Sequence, residues 1–557
     1  MSEAFYNPYQ FIPLDTRQAK RSTPWYKNDT GTKTLADAEN HFVRHDYWHQ
    51  DGVSGRIHCT LTTLSPTVVG GQQEQAEQAD QPTRVKPYYH PSGAVAIPAN
   101  SLRGLLGSVV ETLSQSSLRV LQQAENGAYS VRKPAEQFLP HQGVLCQNRQ
   151  FIQDKTTQTL YPVQPHALTV LETIMRTLVE KEQPAQRPQK QAAILRKFNR
   201  DKPERGWERN KDHSFSPLVL DGDLVYYRVE QGEVVELSYS SIWRKAVDGD
   251  LFEAFERVSG ENSLPWHKKR TALTPAEALF GVVEDKPDKA QGGRHLASRV
   301  RFTDALPLKP VNLQPQVPLK ILNSPKPPSP AMYFSGNGYV AKTDLDLTYH
   351  NPNGRKCYLP HPQSLQPQPQ PQAHWVTDKE NENTNMKVRV QPIPPQTTFQ
   401  FEIQFENLSK EELGLLLKAI QPNSDTKTFV HRLGMGKPLG LGHVSIEPSV
   451  ELIERPQRYA FAQWQQPRYQ AVALADCWDD TLVDAAVLAH FVSLSNPQAI
   501  GETAVCYPYV TRYKKVTQAA YEEAEGFQWF SRNESTNKNE RSNKQFLPNK
   551  GLRVLRS

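Results

Sequence analysis

Alternation of apolar and polar positions marks two strands. Along residues 54–69, Ile57, Cys59 and Leu61 alternate with Arg56, His58, Thr60 and Thr62, and Pro66 ends the run. Along 397–405, Phe399, Phe401, Ile403 and Phe405 alternate with polar neighbours. A period near 3.6 marks two helices. Leu102, Leu105, Leu106, Val109, Val110 and Leu113 form one stripe, with Pro98 and Asn100 or Ser101 as the start signal. Leu413, Leu416, Leu417 and Ile420 form the other, opened by a Ser409/Glu412 capping-box pattern. A glycine-rich turn, HRLGMGKPLGLG, then leads into a further strand. Strand–helix followed by strand–helix–glycine turn–strand is the order of a split βαβ, ferredoxin-like domain.

Between these periodic segments lie stretches of different character. Residues 70–92 read as a polar loop and 120–270 as an inserted region with strand-like runs at 218–229 and 233–239. Residues 307–330 and 360–373 are proline-rich and read as extended linkers or surface loops. The chain is long enough, at 557 residues, for three or four domains. Its 44 prolines exceed the usual ~5% and fit so many long loops. The predicted division is 1–119, 271–310 and 396–450 as parts of one core. An insertion fills 120–270, a Pro/Gln-rich insertion or linker 311–395, and a C-terminal extension with a polar tail 451–557.

A net charge of +6 permits a nucleic-acid partner without requiring one. Five widely spaced cysteines with no C-x-x-C pair argue against a disulfide scaffold and fit a reducing, cytoplasmic setting. No run of about 18 apolar residues occurs, so no membrane span is expected. The first residues carry no apolar signal-peptide segment.

Three groups of residues carry candidate chemistry. Gly434, Gly436, Gly440 and Gly442, with Lys437 among them, allow backbone N–H groups to approach phosphate. The loop is not a Walker A motif, because Pro438 follows the lysine, and the spacing fits a tight helix–strand connection equally well. Ser101, Arg103 and Gly104 sit at a predicted helix N-terminus, whose dipole favours an anion. Arg103 lies off the apolar stripe, where it can reach phosphate or simply solvent. The segment 187–211 holds nine Lys/Arg against three Asp/Glu, including Arg196, Lys197 and Arg200, with Phe198 and Trp207 interleaved. Such mixing suits RNA contact by stacking and charge, and equally a solvated loop. His41, His45 and His49 recur every four residues, but without further ligands downstream no metal site is expected.

Taken together, the motifs resemble one superfamily, the repeat-associated mysterious proteins (RAMPs). HDYWHQDGVSGRIHCTLTTLSPTVVGG (45–71) is similar to the first RAMP strand and its approach, and VAIPANSLRGLLGSVVETLS (95–114) to the helix that follows. LTPAEALFG (273–281), SRVRFTDA (298–305), FENLSKEELGLLLKAI (405–420) and HRLGMGKPLGLG (431–442) follow in the family's order. YNPYQFIPL (6–14) and GRKCYLPH (354–361) resemble large RAMP subunits of type III CRISPR complexes, particularly subtype III-D. The resemblance covers about half the chain. Ala99-Asn100 stands where the family often has Gly-Ser, and Gly107 where it often has Arg or Lys.

The resemblance implies an α+β, RRM-like βαββαβ core interrupted by large insertions. It implies a subunit that holds CRISPR RNA (crRNA) and helps pair it with target RNA. Sister RAMP subunits and the complex's large subunit would be its partners. In cleaving members an aspartate in the loop after the first strand supports Mg²⁺-dependent cutting of target RNA. Asp80 is the only aspartate of 70–92, so a catalytic Asp80, or a guide-processing nuclease using His41 or His45, stands as the alternative to a scaffold.

Overall fold

The computed structural model describes residues 5–14, 23–24, 43, 45, 48–49, 51–74, 81–121, 130–134, 139–180, 219–240, 242–260, 263–265, 272–283, 295–322, 333–335, 345–365, 375–376, 387–423, 428–453, 468–500, 505 and 552–553. The fold is mixed α and β, and it divides into two compact units. One comprises Met1–Gln123 with Gly249–Ser557, the other Ala124–Asp248.

The first unit is organised by one sheet. Its main strands are β1 (Val53–Thr63), β2 (Val300–Phe302), β3 (Thr398–Leu408) and β4 (His443–Leu452). Their order is β2-β3-β1-β4, with every neighbouring pair antiparallel. Helix α1 (Ala99–Leu113) lies in the chain between β1 and β2, and α2 (Lys410–Ile420) between β3 and β4. The two-residue alternation decides which face is covered. Ile57, Cys59 and Leu61 stand opposite Ile403, Phe401 and Phe399, and all six are buried. They pack with Leu102, Leu106, Val109, Val110, Leu113 of α1 and Leu413, Leu416, Leu417 of α2 in a single core. Leu106 has no exposed surface. Leu106→Ala is expected to cost about 2–5 kcal/mol, read as a lower urea midpoint with an unchanged m-value.

α2 opens with the Ser409/Glu412 capping box that its sequence predicts. α1 starts differently from expectation. Pro98 occupies the cap position, and neither Asn100 nor Ser101 caps with its side chain. The acceptor comes from far along the chain: Asp304 Oδ1 takes the Ala99 N–H at 2.8 Å, and Tyr88 OH donates to Oδ2 at 2.7 Å. A carboxylate therefore already sits at this helix N-terminus, where the dipole favours it. Just before β2, Arg299 forms a fully buried ion pair with Glu412 and donates to Asn407 O at 2.9 Å, which ties α2 to the sheet.

Two stretches read from sequence as loops carry strands. Gly70–Glu74 and Thr83–Pro87 pair antiparallel. Val388–Val390 joins Thr83–Pro87 in parallel, and Val317–Pro318 completes a four-stranded sheet. Val85, Val317, Leu319, Trp375 and Val390 bury one side of this assembly. Few apolar residues suffice because they gather from segments distant in sequence. Near the N-terminus, Tyr9–Ile12 pairs antiparallel with Arg355–Tyr358, so YNPYQFIPL and GRKCYLPH are partners in one ribbon.

The second unit is a five-stranded sheet in the order Leu160–Pro162, Phe151–Asp154, His141–Cys146, Leu224–Glu230, Glu233–Ser238. The helix Pro165–Glu180 packs on it through Leu171 and Met175, against Leu145, Ile152, Val225 and Tyr227. Gln231 and Gly232 both have positive φ, 53° and 85°, the backbone a two-residue hairpin demands.

Candidate functional site

Within the first unit a cavity of about 740 Å³ opens beside α1. Three chain segments build it. With its apolar stripe turned to the core, α1 offers Asn100, Ser101, Gly104 and Ser108 to the cavity. A Cβ placed on Gly104 would meet nothing within 4 Å, so the helix backbone is open there. Arg355–Tyr358 supplies a second wall. The turn before β4 supplies the third, through Arg432, Gly434, Met435 and Lys437.

This turn is shaped by backbone packing. Gly434 and Gly442 have φ of 80° and 77°. A Cβ on Gly434 would overlap the Val68 carbonyl oxygen, and one on Gly442 the Leu433 carbonyl oxygen. Several of its amides are spent on the fold. Met435 N donates to Val68 O at 2.9 Å, Gly442 N to Pro66 O at 3.0 Å and Leu439 N to Gly436 O at 2.8 Å. His443 braces the turn from beneath. Its Nε2 accepts the backbone N–H of His361 at 2.9 Å, which leaves the Nδ1 proton to face Ser65 Oγ at 2.7 Å. Burial, with Arg432 and His361 nearby, keeps this imidazole neutral by driving its pKa well below the usual range.

The cavity wall is rich in cations. Arg355 is paired with Glu111 and with Ser116 O, and Glu111 also takes Arg119 Nε at 3.1 Å. Lys356 Nζ lies 3.9 Å from the Tyr9 ring centroid and 4.9 Å from that of Tyr358, and donates to Tyr333 OH at 3.1 Å. The Lys356 side chain is exposed overall, but the protein packed around its ammonium, with Lys437 adding repulsion, lowers it to about 8. Lys437 is lowered by burial and then by Arg432. Burial brings Arg432 down to about 9. Of these cations Arg432 gives up water without a hydrogen-bond partner among the described residues, so an anion entering the cavity would relieve it.

The structure thus brings Ser101, Gly104, Gly434 and Lys437 to one cavity. Gly436, Gly440 and Gly442 support the turn without lining it. Arg103 turns elsewhere: its Nη2 donates to Phe280 O at 2.6 Å, and its guanidinium lies 5.8 Å from the Phe280 ring centroid. Burial and then Arg119 lower it. Gly107 is buried against Arg119 and Phe280. Asp80, Arg196, Lys197 and Arg200 lie outside the described residues, as does His41. His45 is exposed, its Nε2 3.1 Å from Ala297 O. Among the described residues, no group of three or more His, Cys, Asp or Glu is placed to hold a metal, and no helix is long and apolar enough to cross a membrane.

Arg355, Lys356, Tyr358 and Arg432 were not singled out from the sequence as site residues. The signal available was position: Arg432 immediately precedes the glycine turn, and Arg355 and Lys356 sit inside GRKCYLPH.

No family model and no curated protein matches the chain. Among solved structures, it is similar to Csc2 of Thermofilum pendens at 10% identity, over 86% of this chain and 89% of that one, with a TM-score of 0.22. A chain of a type IV-B CRISPR complex matches at 12% identity, over 71% and 90%, with a TM-score of 0.24. A chain of the type III-B Cmr-beta complex bound to cognate target RNA matches at 8%, over 71% and 98%, with a TM-score of 0.19.

Proposed function

We propose that this chain is an RNA-binding structural subunit of a type III CRISPR ribonucleoprotein, of the large RAMP kind found in subtype III-D. It holds crRNA and helps present it to target RNA, in the cytoplasm, alongside sister RAMP subunits and the large subunit. The strand order β2-β3-β1-β4, with a helix after β1 and another after β3, supports a ferredoxin-like core. One observation carries the functional reading: the two motif segments, SLRG on α1 and the glycine turn, meet at a single cavity walled by Arg355, Lys356, Arg432 and Lys437. Phosphate is the ligand such a wall suits. An unpaired strand can turn its backbone into a recess, and its bases stack on rings such as Tyr358.

Binding should be sequence-tolerant and steeply salt-dependent. Three phosphate contacts on a single strand give a slope of about −2 in log affinity against log salt, measured by anisotropy of a labelled single-stranded RNA over a salt series. A flat profile would remove the proposal.

Binding should also weaken between about pH 7 and pH 9, because Lys356 loses its proton near 8. The sign for the free fold is opposite. A base held below its ordinary 10.5 favours folding in its neutral form, so stability rises as pH climbs from about 8 toward 10.5. Affinity and thermal melting followed across this range should therefore move in opposite directions, and parallel trends would exclude Lys356 as an RNA contact.

A further inference from the structure

Arg432 is 8% exposed, yet its Nε, Nη1 and Nη2 have no hydrogen-bond partner among the described residues. A guanidinium carries five donors and stays charged at any physiological pH. Buried charges in proteins are normally paired, because an unpaired one forfeits its hydration without return. Among the described residues, the groups facing Arg432 do not pair it. Lys437 repels it, His443 is held neutral, and the Cys357 thiol is kept protonated by burial, which raises it to about 12. Among the described residues, Glu111 is the carboxylate that lines the cavity, and it is committed to Arg119 and Arg355. Lys356 and Lys437 share the cavity with Arg432.

We infer that Arg432, flanked by Lys437 and Lys356, is a built seat for one phosphate group inside the cavity. Planar, forked donors suit two phosphate oxygens at once, and the lysines add charge without fixed geometry. The depth of Arg432 confines the ligand to a phosphate that can leave the outer surface, as in an extended single strand or at a strand end. The source, single-stranded RNA, rests on the function proposed above. The phosphate chemistry does not.

Two measurements separate these. In the first, thermal melting of the full chain is compared in inorganic phosphate and in chloride at matched ionic strength, for wild type and Arg432→Met. Phosphate should raise the wild-type melting temperature by a few degrees and leave the variant unmoved. In chloride alone, Arg432→Met should melt at or above wild type, because an unpaired buried cation is gone. In the second, labelled single-stranded RNA is titrated by anisotropy, and Arg432→Met should bind about tenfold or more weakly. No phosphate effect on wild type, or the same effect on both proteins, overturns the seat. A variant that melts far below wild type in chloride also overturns it, since the arginine would then be paired by the chain itself. Phosphate stabilisation without RNA binding upholds the seat and rejects the RNA reading. Lys437→Met gives a second, independent reading of the phosphate comparison, with a reduced shift expected and an unchanged one contradicting.

Discussion

Gly442→Ala is expected to lower the stability of the protein by about 3 kcal/mol or more and to abolish RNA binding. The residue has a left-handed φ of 77°, and its new Cβ would overlap the Leu433 carbonyl oxygen, a backbone atom with no freedom to swing aside. That carbonyl belongs to the turn carrying Gly434 and Lys437. Leu433 N also donates to Gly442 O at 2.7 Å, so relief of the overlap breaks the turn's closing bond. Strained φ and backbone collision together belong among the few mechanisms that produce large single-site effects. Chemical denaturation gives the stability change, and anisotropy the binding. A variant that kept wild-type stability would show that the turn closes in some other way. At Gly104 the contrast is built in, since a Cβ there meets nothing. Gly104→Ala should leave stability unchanged or slightly raised by helix propensity.

The second large effect concerns charge. Lys356→Met with Lys437→Met removes two cations from the cavity wall while keeping most of the side-chain volume. If each meets phosphate, affinity for single-stranded RNA should fall about 100-fold and the salt slope should shrink by about 1.4, two contacts at roughly 0.7 each. Stability should hold, because both ammonium groups are depressed chiefly by burial and their loss leaves no carboxylate unpaired among the contacts described. An affinity loss with an unchanged slope would point to distortion of the cavity rather than lost phosphate contacts.

What the sequence revealed follows the range of the forces involved. The alternation at Ile57, Cys59 and Leu61 and at Phe399 to Phe405 marks strands because burial repeats every second residue along a pleat. The Ser409/Glu412 box forms because both partners lie within one turn. The cap of α1 is not legible in the sequence for the complementary reason. Its acceptor, Asp304, arrives from the far end of β2, and no local pattern announces it. Arg103 is similar: its carbonyl partner on Phe280 belongs to the short helix Pro275–Phe280. The strands at Gly70–Glu74 and Thr83–Pro87 show no apolar alternation, because mostly polar residues fill them, and Val85 alone of the latter joins the buried cluster. The glycine turn was legible as a phosphate loop or a tight connection. Its glycines show backbone packing, while the positive charge around it comes from Arg432 beside it and Lys356 on another strand. An unpaired buried guanidinium exists only once the chain is folded.

RNA is expected to enter the cavity between α1, Arg355–Tyr358 and the glycine turn. The most direct test is photocrosslinking of a 4-thiouridine-substituted single-stranded RNA to the purified full chain, with adducts mapped by mass spectrometry. Adducts at Tyr358, Lys356 or Lys437, lost in Arg432→Met, are the predicted result. Efficient crosslinking confined to other parts of the chain, with the cavity residues unmodified, would contradict the account.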